Sequence, residues 1–408
     1  MKYFVKELSN GIRILHIPTK TITAWAGMYI HAGTRDEKVN ESGIAHFFEH
    51  VLFKGTEKRS AYKILSAIDN SGGELNAYTT KEETFVYASF LKGNLGRASE
   101  IITDIVFHSV FPEKEVEKER GVILDEIQSY KDDPVESLFD SFDALYFKNH
   151  PLARPILGTE DSVMKIKRND LLNFVDHNYH TDQMIFCTVG NFTFEKILKY
   201  VEPLLQDIKP SFRKKDRIPF IKNSPFHHVE LSDVHSAYFV LATEGPSRKD
   251  RFKAANILFN NILGGPSLTS ILNISLREKH GLTYSVESQI NSFTDCGIMS
   301  IFLNTEKSKL DKAVGIVEKE LKKLRENALS PTKLHTAKRQ LKGALALSDD
   351  NKDRIIHYMG RSFLNSGTIM PIEEIMKQID SVTSTDILNI ANENFHPDNW
   401  STYRLLPE

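Results

Sequence analysis

His46 and His50 stand four residues apart in the run Gly43-Ile44-Ala45-His46-Phe47-Phe48-Glu49-His50-Val51-Leu52-Phe53-Lys54-Gly55-Thr56, with Glu49 between them. On a helix, residues four apart lie on one face, one turn from each other. Both imidazoles can then reach one zinc ion, whose Zn–N distances are about 2.0–2.1 Å. Glu49, three residues after His46, projects close to the same face. It can take a proton from a water on the metal and pass it to a departing amine without ligating the metal itself. Taken alone, the motif is as readily a chance pair of packed helix histidines, because short motifs match falsely. Its setting favours the metal. The helix is apolar and bounded by Gly43 and Gly55, so the histidines are partly buried, where an unused titratable pair is costly.

A catalytic zinc takes three protein ligands and keeps one position open. The helically spaced stretch 113–130 offers Glu113, Glu115, Glu117, Glu119, Asp125 and Glu126, most of them surface charge. Glu119 and Glu126 are seven apart, two turns, and so share a face, with Val122, Ile123 and Ile127 around it. A buried carboxylate needs a partner, and a metal is one. This points to Glu126 as the third ligand and Glu119 as a support behind the ligands.

These residues need elements to hold them. Asn10-Gly11 between apolar runs signals a hairpin, and an apolar strand follows over 24–32. Residues 41–55, 60–71, 94–107, 113–130, 134–147 and 194–206 have helical spacing; 74–90 reads as paired strands and 184–189 as a strand. Strands, then helices, then strands indicate an α+β fold rather than a parallel ladder. Residues 207–225, with Pro210, Pro219 and Pro225 around Arg213-Lys214-Lys215-Asp216-Arg217, read as a linker whose basic cluster is a solvated loop. The halves on either side repeat. Asp161-Ser162-Val163, Asp170-Leu171-Leu172-Asn173, Asn178-Tyr179-His180 and Asp182 recur as Asp380-Ser381-Val382, Asp386-Ile387-Leu388-Asn389, Asn394-Phe395-His396 and Asp398, each series ending in an apolar strand. The expected organisation is a catalytic zinc-binding domain over 1–208, a linker over 209–225 and a homologous non-catalytic domain over 226–408. Each is an antiparallel-rich sheet packed with helices, and the two form one half of a clamshell. A period this long marks a duplicated domain, not a solenoid.

The 408 residues allow two or three domains and a core that needs no staples. With 52 Lys+Arg against 54 Asp+Glu, the near-neutral balance gives no reason to expect nucleic acid, which calls for a concentrated basic surface. Cys187 and Cys296 are too far apart for a disulfide framework and read as reduced core residues. No apolar stretch is long enough for a membrane span, and Met1 to Leu8 lacks the apolar region of a secretion signal. The expected location is cytoplasmic.

With these residues in place, the sequence resembles the pitrilysin/insulinase-type zinc metallopeptidases. The order His-x-x-Glu-His is the inverted zinc-protease signature. That family takes its third ligand from a glutamate about 76 residues after the second histidine, and His50 plus 76 is Glu126. It also has an acid seven residues before that ligand, where Glu119 stands. The resemblance implies that His46, His50 and Glu126 bind one Zn2+ per chain and that Glu49 is the general base. Gly72-Gly73-Glu74-Leu75-Asn76-Ala77-Tyr78-Thr79 is similar to the family's substrate strand, where the backbone near Asn76 and Ala77 accepts a peptide as an added strand. Leu276-Arg277-Glu278-Lys279-His280-Gly281-Leu282-Thr283-Tyr284 resembles the segment whose Arg and Tyr serve the active site: Arg277 to grip a substrate carbonyl, Tyr284 to donate to the oxyanion. The glycine loop departs from many relatives, reading Gly264-Gly265-Pro266-Ser267.

The resemblance implies a zinc endopeptidase of the short two-domain branch, acting on peptides or unfolded segments. The branch pairs two such chains, so a homodimer or a heterodimer with a related subunit is expected. The competing readings are a metal-binding subunit that needs a glycine-loop partner, a non-catalytic scaffold subunit, and a small-molecule amidase using the same metal.

Overall fold

The computed structural model of the chain describes every residue except Met1, Lys215 and Asp350, and only the backbone of Asp349. The residues form two compact units. The first comprises Met1–Asp133, Asn149–Ile218 and Asn351–Ile369; the second comprises Pro134–Lys148, Pro219–Asp350 and Met370–Glu408. The halves on either side of 209–225 are contiguous in sequence, but the units are not. Each includes one helix from the other half of the chain.

The first unit is built on strands β1 (Phe4–Glu7), β2 (Arg13–Pro18), β3 (Thr23–Ile30), β4 (Glu74–Thr79), β5 (Thr84–Leu91) and β6 (Met184–Gly190), ordered β1-β2-β6-β3-β5-β4. All neighbours are antiparallel except β2 and β6. The hairpin expected at Asn10-Gly11 joins β1 to β2, with Phe4 opposite His16 and Glu7 opposite Arg13. Gly11 takes φ +92°, a backbone region that glycine enters without a Cβ clash.

One face of this sheet packs on helices Ile44–Leu52, Leu95–Phe107, Arg168–Asn178 and Phe194–Leu205 through a single apolar cluster. The other face is covered by the helix Lys352–Ser366, whose Ile355, Ile356, Met359 and Phe363 meet Leu15, Tyr29, Ile185 and Cys187. Sheet faces covered on both sides leave β3 and β6 almost wholly buried. Gly360 lets this helix approach closely: a Cβ there would lie 2.6 Å from the Tyr29 ring and 3.1 Å from the Cys187 sulfur.

The second unit repeats the plan with strands β7 (His227–Ser232), β8 (Ala237–Glu244), β9 (Ser285–Ser292), β10 (Gly297–Thr305) and β11 (Ser401–Pro407), ordered β7-β11-β8-β10-β9. Only β7 and β11 are parallel, as β2 and β6 are in the first unit. Here the borrowed helix is Pro134–Tyr146, which brings Phe139 against Phe302 and Phe142 against Phe226.

The internal repeat has a local cause. Asp170 accepts from the Lys167 backbone at 2.8 Å and Asp386 from the Thr383 backbone at 2.7 Å, each closing a helix start. His180 and His396 then lead into matching short 3₁₀ turns before β6 and β11.

Two expectations change. Of the basic cluster 213–217, Lys214 and Asp216 are exposed and Lys215 lies outside the described residues, but the two arginines are not solvated. Arg213 reaches Asp36 at 3.1 Å, and Arg217, nearly buried, reaches Asp36 at 2.7 Å and Glu82 at 3.3 Å. Its buried partners lie far upstream in sequence, which local composition does not reveal. Cys187 is a core residue, but Cys296 is only half-buried, in the turn from β9 to β10. Both are free thiols. No helix among the described residues is long and apolar enough to cross a membrane.

Candidate metal centre

The helix Ile44–Leu52 starts at Gly43, whose φ of +88° brings its backbone against Gly158; a Cβ on Gly43 would lie 2.5 Å from the Leu157 carbonyl oxygen. Gly43 has no side chain to cap the helix, so the cap comes from elsewhere. The buried Glu37 carboxylate accepts from the Gly43 and Ala45 amides at 3.1 and 3.0 Å, meeting the unpaired N–H groups and the positive end of the helix dipole. Ile44, Phe47, Phe48 and Val51 are buried in the core, which turns His46, Glu49 and His50 toward the helix Glu113–Asp132.

One donor atom from each of His46, His50 and Glu126 lies within 4.8 Å of the other two. Glu126 Oε2 is 3.4 Å from His50 Nε2 and 3.8 Å from His46 Nε2, and the two imidazole centroids are 4.7 Å apart. Ligands about 2.0–2.1 Å from a tetrahedral zinc are spaced roughly 3.3 Å from one another, and both Glu126 distances are close to that spacing. His46 is 7% exposed. Burial, reinforced by the neighbouring His50, lowers its pKa to about 3, keeping it in the neutral, ligating form. Its Nδ1 is buried with no hydrogen-bond partner among the described residues. A cation at Nε2 would fix the proton on Nδ1 without giving that atom an acceptor, so the fit to a metal rests on the spacing of the three donor atoms and the neutral state of His46. The zinc that the donor chemistry calls for therefore fits these residues.

Glu49 is mostly buried, which pushes its carboxyl above the usual range. Hydrogen bonds from the Thr79 hydroxyl and backbone and the charge of His50 pull it down, and nearby Glu126 pushes it up. Glu119 lies behind His50: its Oε2 is 3.3 Å from His50 Nδ1 and its Oε1 2.7 Å from Lys54 Nζ. β4 is the edge strand of its sheet. Asn76 is exposed and Ala77 is 8% exposed, and the Ala77 amide donates to the Asn76 side chain at 2.8 Å. The same Thr79 hydroxyl oxygen, at the end of β4, lies 3.4 Å from the Ala45 carbonyl oxygen, which places the edge strand against the histidine helix.

The structure thus brings together His46, Glu49, His50, Glu119 and Glu126, with β4 alongside. Arg277 and Tyr284 belong to the second unit. Both are exposed and line a groove of about 570 Å³ between the Gly264-Gly265 loop and the edge strand β9. Sequence reasoning missed Glu37, Lys54 and Thr79. Lys54 has a faint signal, a cation one turn beyond His50, but its partner is 65 residues away. Glu37 lies six residues before Gly43, too far for a local cap motif.

Two helices bring a histidine pair and the remote Glu126 close enough to hold a metal ion, with Glu49 on the same helix as the histidines. The family models agree. Residues 13–160 match Insulinase (Peptidase family M16) and residues 165–341 match the Peptidase M16 inactive domain. An uncharacterized zinc protease of Streptomyces coelicolor is 32% identical over 403 residues, covering 95% of this chain and 86% of the relative. The zinc protease YmxG of Bacillus subtilis is 30% identical, covering 95% of each chain. The mitochondrial-processing peptidase subunit beta of Saccharomyces cerevisiae is 31% identical over 407 residues, covering 95% of this chain and 87% of that subunit. A solved protease from Helicobacter pylori has the same fold, with a TM-score of 0.90 at 20% identity, over 100% of this chain and 99% of that one. The chain belongs to peptidase family M16.

Proposed function

We propose that this chain is a zinc-dependent endopeptidase that hydrolyses peptides or unfolded segments, with one zinc per chain held by His46, His50 and Glu126. The observation that carries the reading is the convergence of those three side chains beside Glu49. When bound, the cation supplies Lewis acidity and brings the pKa of a water close to 7. Glu49 takes the proton of the attacking water and returns it to the leaving amine; its raised pKa suits both tasks. Thr79 holds Glu49 in place. Glu119 fixes the ring and tautomer of His50. The open edge of β4 at Asn76 and Ala77 takes the peptide as an added strand, so main-chain hydrogen bonds hold it whatever its sequence.

By resemblance, Arg277 and Tyr284 act on the same peptide, at its carbonyl and at the oxyanion. The catalytic domain is 1–208, joined by the 209–225 linker to the non-catalytic domain 226–408. The test is Glu49→Gln. It should keep full zinc content while peptide hydrolysis falls by roughly 10²–10⁴; hydrolysis at the wild-type rate overturns the mechanism.

A second reading is supported by the likeness to a protein named as a subunit: the chain is active only in a dimer, with a second copy or a related chain. A peptide digest across a dilution series separates the two. Specific activity independent of concentration supports a self-sufficient chain; a steep loss on dilution supports the dimer.

A further inference from the structure

We propose that Lys54 is a positioning residue of the metal centre: its ammonium fixes one oxygen of Glu119 so that the other is presented to Nδ1 of His50. This rests on the reading of His46, His50 and Glu126 as zinc ligands.

The geometry is a three-membered chain. Lys54 Nζ lies 2.7 Å from Glu119 Oε1, and Glu119 Oε2 lies 3.3 Å from His50 Nδ1. The Glu119 side chain is only 6% exposed, so its orientation is set by protein groups rather than by water. Arg120, next in sequence, is committed elsewhere. It reaches Glu117 at 2.9 Å and donates to the Ile166 carbonyl at 2.8 Å and to the Val163 carbonyl.

Lys54 also starts from a fixed point. Its amide donates to the Val51 carbonyl at 3.1 Å, and the Val110 amide donates to the Gly55 carbonyl at 3.1 Å. The Thr56 hydroxyl donates to Asp104 at 2.8 Å. The anchored turn fixes where the side chain starts, while ordering its own torsions still costs up to about 2 kcal/mol. A carboxylate that accepts from the non-ligating nitrogen of a metal-binding histidine fixes which nitrogen carries the proton and how the ring points. If Lys54 is removed, the Glu119 carboxylate loses the contact that aims it, and His50 loses its fixed orientation. His46 provides the contrast, since its Nδ1 has no such partner among the described residues. The orienting support of the pair therefore rests on one histidine.

A zinc-affinity double-mutant cycle on the full chain, by chelator competition at fixed pH, tests this. The panel is Lys54→Met, Lys54→Arg, Glu119→Gln and the Lys54→Met/Glu119→Gln pair. Glu119→Gln is expected to weaken zinc binding by roughly 10–100-fold and Lys54→Met by about tenfold. Lys54→Arg should recover most of the loss. Once Glu119 is already Gln, Lys54→Met should change affinity less than about twofold, because its route to the metal is gone. The metal-free melting temperature of each variant serves as the fold control, with Lys54→Gln replacing Lys54→Met should the latter not fold. Unchanged zinc affinity in Lys54→Met, or an equal loss with and without Glu119, overturns the proposal. A wild-type chain that binds no zinc overturns the metal reading beneath it, a distinct result.

Discussion

Apart from β1, which only the first sheet has, the two units share a strand order, a parallel pair in the same place and one borrowed helix each, yet they bury different things. Among the described residues, every buried Asp, Glu, Lys, Arg and His lies in the first unit: His16, His31, Arg35, Glu37, His46, Lys81, Glu82, Glu83, Asp104, Glu119, Arg120 and His150. The buried polar side chains of the second are Ser, Thr and Asn. Burying charge is costly unless each group is paired, so the first unit carries a burden that its twin avoids. The helices show where the difference arises. Lys253–Gly264, which follows β8 as Ile44–Leu52 follows β3, has no histidine and no carboxylate. Counted from the first residue of each helix, Glu119 and Glu126 of Glu113–Asp132 correspond to Ala337 and Ala344 of Pro331–Asp349. The duplicated frame is common to both units, and the chemistry has been written into one copy.

The comparison breaks most sharply at Glu126. Glu126→Ala should remove zinc and lower peptide hydrolysis at least a thousandfold, whereas Ala344→Glu in the second unit should leave metal content at one per chain. Metal analysis with a peptide assay checks both, and a second zinc in Ala344→Glu would show that the frame alone suffices. Glu37→Ala leaves two helix amides without their acceptor and should cost about 2 kcal/mol or more of stability, measured by denaturant unfolding of the metal-free chain. Thr79→Val should lower kcat about tenfold with zinc retained, since a hydrogen bond to a charged group is worth about that much. Thr79→Ser should restore it.

A further contrast is in pH. His31 is buried and faces Arg217 Nη1 at 2.7 Å. Burial first, then Arg217 and Arg213, lower its pKa to about 3. The unfolded chain therefore binds a proton that the folded one refuses, so stability should fall as pH drops from about 6.5 towards 3, by up to about 1.4 kcal/mol per pH unit for this residue. Hydrogen exchange on acidification should show the sheet of the first unit opening before that of the second; the reverse order would contradict the assignment of the burden.

Much of this was legible in the sequence because it is local. The Asn10-Gly11 turn, the helices near 44–52, 61–69 and 113–132, and the repeat ending in His180 and His396 follow from spacing and capping within a few residues. The proposed zinc ligands could be picked out because two share a turn and the third lies at a family-specific distance. What escaped depends on contacts between remote residues. Arg213 and Arg217 looked solvated because Asp36 and Glu82 are far upstream. Glu37 and Lys54 carry no local mark of the contacts they make. The exchange of Pro134–Tyr146 and Lys352–Ser366 between the units leaves no local mark, since either helix has an apolar face that would suit a sheet in its own half.

The central claim is that one helix and a distant glutamate hold a single zinc. An anomalous-scattering map at the zinc edge, from crystals of the zinc-loaded chain, tests it directly. The account predicts one peak, bounded by Nε2 of His46, Nε2 of His50 and the Glu126 carboxylate, and none near Lys253–Gly264. A zinc peak held by other residues, or none between these three, would contradict it.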